Sequence, residues 1–162
     1  MNESGRRDLH IALLEPEIHF NTGNSGRTCL AVSAQLHLIE PLGFGLGARE
    51  VRRAGLDYWP LVEPRVWSGW PEFEAGTRDL GATFFCTPDA EQELWDVRFP
   101  RPAVLVFGCE SRGLPAALRH GNPERCFRIP MANPPVRSLN LSTCVGIAAY
   151  EVVRQWRTSF TD

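Results

Sequence analysis

The sequence predicts an α/β fold, one domain built on a parallel sheet with helices on both faces. Two observations carry this. Leu9-His10-Ile11-Ala12-Leu13-Leu14 and Ala103-Val104-Leu105-Val106-Phe107 are short, nearly continuous apolar runs, the pattern of strands covered on both sides. Such runs alternate with segments of helical period, and no internal repeat or low-complexity linker interrupts them. A length of 162 residues suits one domain with a substantial core.

The elements follow in order. Residues 9–14 form a first strand. A polar loop ends in Asn21-Thr22-Gly23-Asn24, residue types that suit a helix N-cap, so a helix is placed over 24–34. Residues 36–40 form a second strand, 41–47 a glycine-rich loop, and 49–54 a short helix. A third strand is placed near 61–66, a helix over 70–78, a strand over 82–86 and a helical or irregular stretch over 89–96. Residues 103–107 are the most strongly buried strand. A short helix spans 114–120 with Pro115 in its first turn, and 126–129 form the last strand. The longest helix covers 141–156, where Leu141, Val145, Ala148, Ala149, Val152 and Trp156 make one apolar stripe. That stripe serves either the core or a second subunit. Residues 1–8 are a polar tail, without the apolar centre of a secretory signal, and 158–162 a second tail.

Composition narrows the function. No run of about eighteen apolar residues exists, so no membrane span is expected. Cys29, Cys86, Cys109, Cys126 and Cys144 form no C-x-x-C pair, and His10, His19, His37 and His120 are scattered; reduced thiols, a cytoplasmic location and no metal site are expected. The formal net charge is −2, but acidic residues concentrate between Glu72 and Asp96, leaving the remainder basic. All 17 basic residues are arginine, whose planar fork matches phosphate. This is compatible with RNA binding without establishing it.

The chemistry is expected at strand ends. Ligands of open α/β sheets bind outside the carboxyl ends of the strands, and the loops at 15–24, 108–113 and 131–140 all follow strands. Gly43-x-Gly45-x-Gly47 lacks the dinucleotide-binding spacing and reads as a flexible loop. Cys109-Glu110-Ser111-Arg112-Gly113 is a poor nucleophile elbow, having cysteine for its first glycine and no Asp-then-His order after it. Gly108 and Gly113 suit a tight turn that a ligand can approach closely, with Glu110 and Arg112 either at that ligand or in a surface ion pair. Pro130, Pro134 and Pro135 stiffen the approach to Ser138-Leu139-Asn140-Leu141-Ser142, which lowers the entropic cost of presenting polar groups.

Three blocks together carry a resemblance. They are Asn21-Thr22-Gly23-Asn24-x-x-Arg27, Phe107-Gly108-x-Glu110-x-Arg112-Gly113-Leu114, and Ile129-Pro130-Met131 with Ser138-Leu139-Asn140-Leu141-Ser142. In order and spacing they resemble the motifs of SPOUT-class, TrmH-like RNA 2′-O-methyltransferases, over roughly residues 9–157. Pro41-x-Gly43-Phe44 and Arg52-Arg53-Ala54-Gly55-Leu56-Asp57-Tyr58 look like the short TrmL branch, which methylates the ribose of the wobble cytidine or uridine in tRNA, leucine tRNAs among them. The resemblance implies a SPOUT fold with a C-terminal deep trefoil knot, an exception to the rule against knots. It implies a homodimer with the last helix in the interface, and the tRNA anticodon loop as partner. It also implies S-adenosylmethionine as cofactor, at Cys86, Thr87, Gly108, Glu110, Ile129, Met131, Ser138 and Leu139.

By the same resemblance Arg27 activates the ribose hydroxyl; Asn140, for holding the turn, and Ser142, for capping or substrate contact, are the next catalytic candidates, and Asn21, Asn24, Arg27, Arg112 and Tyr150 meet RNA. Neutralising an arginine near pH 7 costs roughly 7 kcal/mol or more, so Arg27 is expected to act at least partly by orienting the hydroxyl and an adjacent phosphate. Arg6, Arg7, Arg49, Arg52, Arg53 and Arg137 are candidate phosphate contacts, and no appended RNA-binding domain is expected. His19-Phe20 and Ser25-Gly26 depart from the family pattern, and Gly26 is expected to loosen the helix carrying Arg27. Two alternatives are a SPOUT enzyme acting on another tRNA or rRNA ribose and a noncatalytic RNA-binding paralogue.

Overall fold

The computed structural model describes residues 7–47, 57–133 and 135–156. The short helix expected over 49–54, the basic residues Arg6, Arg49, Arg52 and Arg53, and Pro134 lie outside the described residues. Six strands form one sheet: β1 (Leu9–Leu14), β2 (Gln35–Ile39), β3 (Arg65–Trp67), β4 (Ala82–Cys86), β5 (Ala103–Phe107) and β6 (Cys126–Phe127). Their order is β3-β2-β1-β5-β4-β6, and every pairing is parallel. The helices are α1 (His19–Ala31), α2 (Trp59–Val62), α3 (Trp70–Thr77), α4 (Ala116–Gly121) and α5 (Leu141–Gln155).

Period-2 alternation sends the central strands into two cores. Leu9, Ile11 and Leu13 of β1, with Leu105 and Phe107 of β5, face Cys29 of α1 and Val145, Ala148 and Val152 of α5. Ala12, Leu14, Val104 and Val106 face the other way, against Phe73 of α3, Leu114 and Leu118. This double burial is why the strands read as unbroken apolar runs. The stripe of α5 packs in the chain's own core: Val145, Ala148, Ala149 and Val152 are all fully buried. Trp156, which caps that helix, donates from Nε1 to the Phe99 carbonyl at 3.0 Å.

Several boundaries differ from the sequence expectation. Helix α1 starts at His19, so Asn21 to Asn24 lie inside its first turns and do not cap it; no local side chain caps that end. The apolar run at 59–62 is a helical turn with Pro60 near its start, which moves the third strand to Arg65–Trp67. The last strand is shorter than expected, and Arg128 continues it only as an isolated bridge to Glu93. Gly26 does not merely weaken α1. A Cβ there would lie 3.1 Å from the Trp59 ring and 3.1 Å from Val62, so the glycine lets α1 and α2 approach.

One buried polar feature sits in the sheet. His37 Nδ1 accepts from Trp67 Nε1 at 3.0 Å, so His37 carries its proton on Nε2 and donates it to His10 Nδ1, also at 3.0 Å. Burial pushes the His10 imidazole down to about 4 and the His37 imidazole down to about 3. Both stay neutral in the fold, whereas in the unfolded chain they protonate below about pH 6.5. Their contribution to stability is therefore complete above that pH and is lost as pH falls toward their folded values. Chemical denaturation is expected to show a loss of about 2 kcal/mol per histidine between pH 7 and pH 5. An unchanged denaturation midpoint over that range would disprove it.

Candidate active site

After β6 the chain returns past the carboxyl ends of β4 and β5 to α5, which packs on α1 beside β1. A cavity of about 520 Å³ lies along this path. Its wall takes Cys86 and Thr87 from the end of β4, residues 107–114 from the end of β5, and 137–141 from the returning segment, with Ile18 and Asn21 closing one side. The three loops expected to share one edge therefore meet.

The turn after β5 is shaped by its glycines. A Cβ on Gly108 would fall 2.1 Å from the Gly113 backbone, and Gly113 itself has φ 66°. The closed turn holds Glu110 against the start of α1. Its carboxylate accepts from the Glu17 amide at 2.8 Å, the Ile18 amide at 3.1 Å and Asn21 Nδ2 at 3.0 Å. An anion at a helix N-terminus satisfies orphan N–H groups and complements the helix dipole. Glu110 is thus the cap that α1 lacks locally, reaching it from about ninety residues away.

Glu17 returns the contact. Its carboxylate accepts from the Ser111 amide at 2.8 Å and the Ser111 hydroxyl at 2.7 Å, and these bonds hold it below the usual carboxylate range. Ser111 is therefore a scaffold residue, not a nucleophile. Arg112 pairs with Glu15 at 2.8 Å, which makes it the surface ion pair envisaged from sequence, though with Glu15 and not with Glu110. Glu15 has φ 52°, an uncommon conformation for a residue with a side chain, at the point where the loop leaves β1.

The third loop joins through asparagines. Asn140 Nδ2 donates to Asn21 Oδ1 at 2.8 Å. Asn140 Oδ1 accepts from the Ser142 amide at 2.9 Å, the Ser142 hydroxyl at 2.7 Å and the Thr143 amide at 3.4 Å, which caps α5. A continuous polar chain, Glu110 to Asn21 to Asn140 to Ser142, thus crosses all three motif loops.

The residues expected at the site separate into groups. Cys86, Thr87, Gly108, Glu110, Ser138, Leu139, Asn140, Asn21 and Arg112 line the cavity, whereas Ile129 and Met131 do not; Ile129 packs in the core. Ser142 stands one step behind, through Asn140. Asn24 and Arg27 are exposed on α1, with the Arg27 guanidinium 4.5 Å above the Tyr58 ring, and Tyr150 is exposed on α5. Arg27 lies six residues beyond Asn21, about 9 Å along the helix, and does not line this cavity. Sequence reasoning missed Glu15 and Glu17; acidic residues directly after a buried strand were the available signal. It also missed Asp89 and Arg119, whose ion pair joins two walls of the cavity. Among the described residues no cluster of three metal-ligating side chains occurs, and no helix is long and apolar enough to cross a membrane.

Residues 8–150, which hold all three loops, match the SpoU rRNA methylase family. The chain belongs to the SpoU methylase family. Among curated SpoU relatives, the tRNA (cytidine(34)-2′-O)-methyltransferase of an Acidovorax species is 44% identical, over 91% of each chain. The protein of the same name from Burkholderia pseudomallei is 43% identical over 91% of this chain and 95% of its own. The solved structure that concerns the 2-OH methylation of C/U34 on tRNA superimposes with a TM-score of 0.85, at 43% identity over 93% of this chain and 97% of that one. An AdoMet-bound rRNA methyltransferase from Sinorhizobium meliloti shares the fold at a TM-score of 0.75 and 24% identity, covering 90% of this chain and 56% of its own.

Proposed function

We propose that this SpoU methylase transfers a methyl group from S-adenosylmethionine to the ribose 2′-OH of the wobble pyrimidine in the tRNA anticodon loop, leucine tRNAs among its substrates. The observation that carries this is the single cavity at the strand ends that gathers all three motif loops, in a chain alike over nine-tenths of its length to enzymes named for that reaction. The cavity suits the donor. Its volume is in the range of small-molecule sites, and Leu114, Leu139, Leu141 and Phe107 offer apolar wall between polar backbone loops. Cys86, Thr87, Gly108, Ser138 and Leu139 would hold it, and when bound it supplies an electrophilic methyl on sulfur. We place Ile129 and Met131 behind that shell.

The protein's own part is alignment. Asn140 keeps the returning segment against α1 through Asn21. The Ser142 hydroxyl donates its hydrogen bond to Asn140 Oδ1 and so keeps lone pairs to accept from a ribose hydroxyl. The Arg27 guanidinium sits 4.5 Å from the centre of the Tyr58 ring, and its N–H groups are assigned to the ribose and a neighbouring phosphate. Asn24, Arg112 and Tyr150 are proposed RNA contacts. Residues 9–157 would act as one catalytic domain, as a cytoplasmic homodimer with α5 at the interface. The return of the chain from β6 to α5 is read as the trefoil knot.

Nucleoside-resolved mass spectrometry of tRNA incubated with the purified protein and S-adenosylmethionine tests this. The expected product is 2′-O-methylation at the wobble position. Methylation elsewhere, or none, overturns the assignment.

A further inference from the structure

Among the described residues, Phe20, Asn24 and Arg27 are exposed on α1, while Asn21, Thr22, Ser25 and Gly26 between them are buried. The three exposed residues stand at i, i+4 and i+7, which is one stripe of a helix. Phe20 begins that stripe with 54% of its surface in solvent. Ile18 and Asn21, close to it in the chain, line the cavity, so the ring stands beside the cavity's mouth.

Phe20 is also held in place. The His19 ring lies 4.1 Å from it, tilted by 36°, and meets the Phe44 ring edge-on at 6.3 Å. Phe44 reaches His19 because Gly43 lies against the loop before α1. The Gly43 amide donates to the Pro16 carbonyl at 2.9 Å, and a Cβ there would fall 2.5 Å from the Glu17 carbonyl oxygen. Three rings from two loops thus form one cluster, and a ring already ordered loses little entropy when a ligand lands on it.

We propose that Phe20, backed by His19, is the stacking platform for one of the two bases that flank the wobble nucleotide. This rests on the functional reading above, which brings RNA to Arg27. Phe20 lies about 10 Å from Arg27 along the same stripe, seven residues at the rise of an α-helix. A strand whose ribose and phosphate meet Arg27 therefore runs close to the ring. Single-stranded RNA is gripped by rings that stack its bases and cations that meet its backbone, and this stripe offers both. Turning the wobble ribose into the cavity unstacks its base from a neighbour. The Phe20 ring gives that neighbour a replacement face. A second copy of the chain seated here would instead shut Arg27 off from the ribose.

Fluorescence anisotropy with a labelled anticodon stem–loop RNA tests this. Phe20→Ala and Phe20→Leu are each expected to weaken binding about tenfold, within the range for loss of one base–aromatic stack, whereas Phe20→Trp keeps wild-type affinity. Titration with S-adenosylmethionine and thermal unfolding are expected to stay unchanged, because the side chain is exposed. With an RNA made abasic at the stacked flanking position, wild-type binding drops about tenfold and Phe20→Ala adds no further loss. Unchanged affinity in Phe20→Ala overturns the proposal, and so does full affinity in Phe20→Leu or an equal loss on intact RNA and on both flanking abasic RNAs. Conversion of a dimer to a monomer by Phe20→Ala, read by sedimentation, overturns it in favour of an interface between copies. Wobble methylation of the intact stem–loop by the wild-type protein checks the functional reading separately. If the wild type neither binds nor methylates that RNA, the functional reading has failed and this inference falls with it.

Discussion

Arg27→Ala is expected to lower kcat by a hundredfold or more while leaving the fold intact. The side chain is exposed, and its contact among the described residues is the Tyr58 ring, worth about 0.5–1 kcal/mol at such a site. Stability is therefore expected to change little. The catalytic loss is larger because a guanidinium that orients a nucleophile and its phosphate acts in the transition state, where one such donor is worth about a hundredfold to a thousandfold. Arg27→Lys separates charge from geometry. Lysine keeps the cation but not the planar fork, so it is expected to retain much of the tRNA affinity and to lose most of kcat. Single-turnover methylation with saturating tRNA measures this. A lysine variant with wild-type kcat and undiminished affinity would show that the fork plays no part.

Glu110→Ala is expected to produce the largest stability loss of any site residue, about 2–4 kcal/mol. It removes one carboxylate that accepts from two backbone amides and one side-chain amide, and it leaves the start of α1 without a cap. Glu110→Gln is the sharper variant. It keeps the shape but replaces one acceptor oxygen with a donor, which then faces an N–H group. The loop at 15–21 is expected to detach from the turn after β5, and Asn21 to lose its hold on Asn140. Urea denaturation reads the first effect and S-adenosylmethionine titration the second. A Glu110→Gln protein with both unchanged would refute the capping role.

The place of Glu110 was only partly legible in the sequence. The residue does line the cavity, yet among the described residues its three hydrogen bonds go to the start of α1 and the loop before it. Its pattern in the sequence could not show this, because the groups it caps lie in a segment far away along the chain. The start of α1 was misjudged by the same cause. Asn21 and Thr22 have the chemistry of a local cap, so local reasoning began the helix after them. A cap supplied from β5 let the helix begin at His19 and turned Asn21 toward Asn140. Gly26 likewise looked like a local weakness and is a packing requirement set by Trp59 and Val62.

By itself the sequence determined the layered parallel α/β architecture, because double burial leaves an apolar run that is legible residue by residue. The bounds of β1, β4 and β5 match the expectation for that reason. It also located the three loops of the site, since glycine, proline and asparagine are required wherever strands turn sharply. Only the tertiary structure decided what those loops do to one another: Glu110 capping α1, Glu17 holding Ser111, and Asn140 joining Asn21. Each of these is a polar contact between residues distant in the chain. Hydrophobic periodicity reports which face of an element is buried, whereas a hydrogen bond depends on where two atoms finally lie.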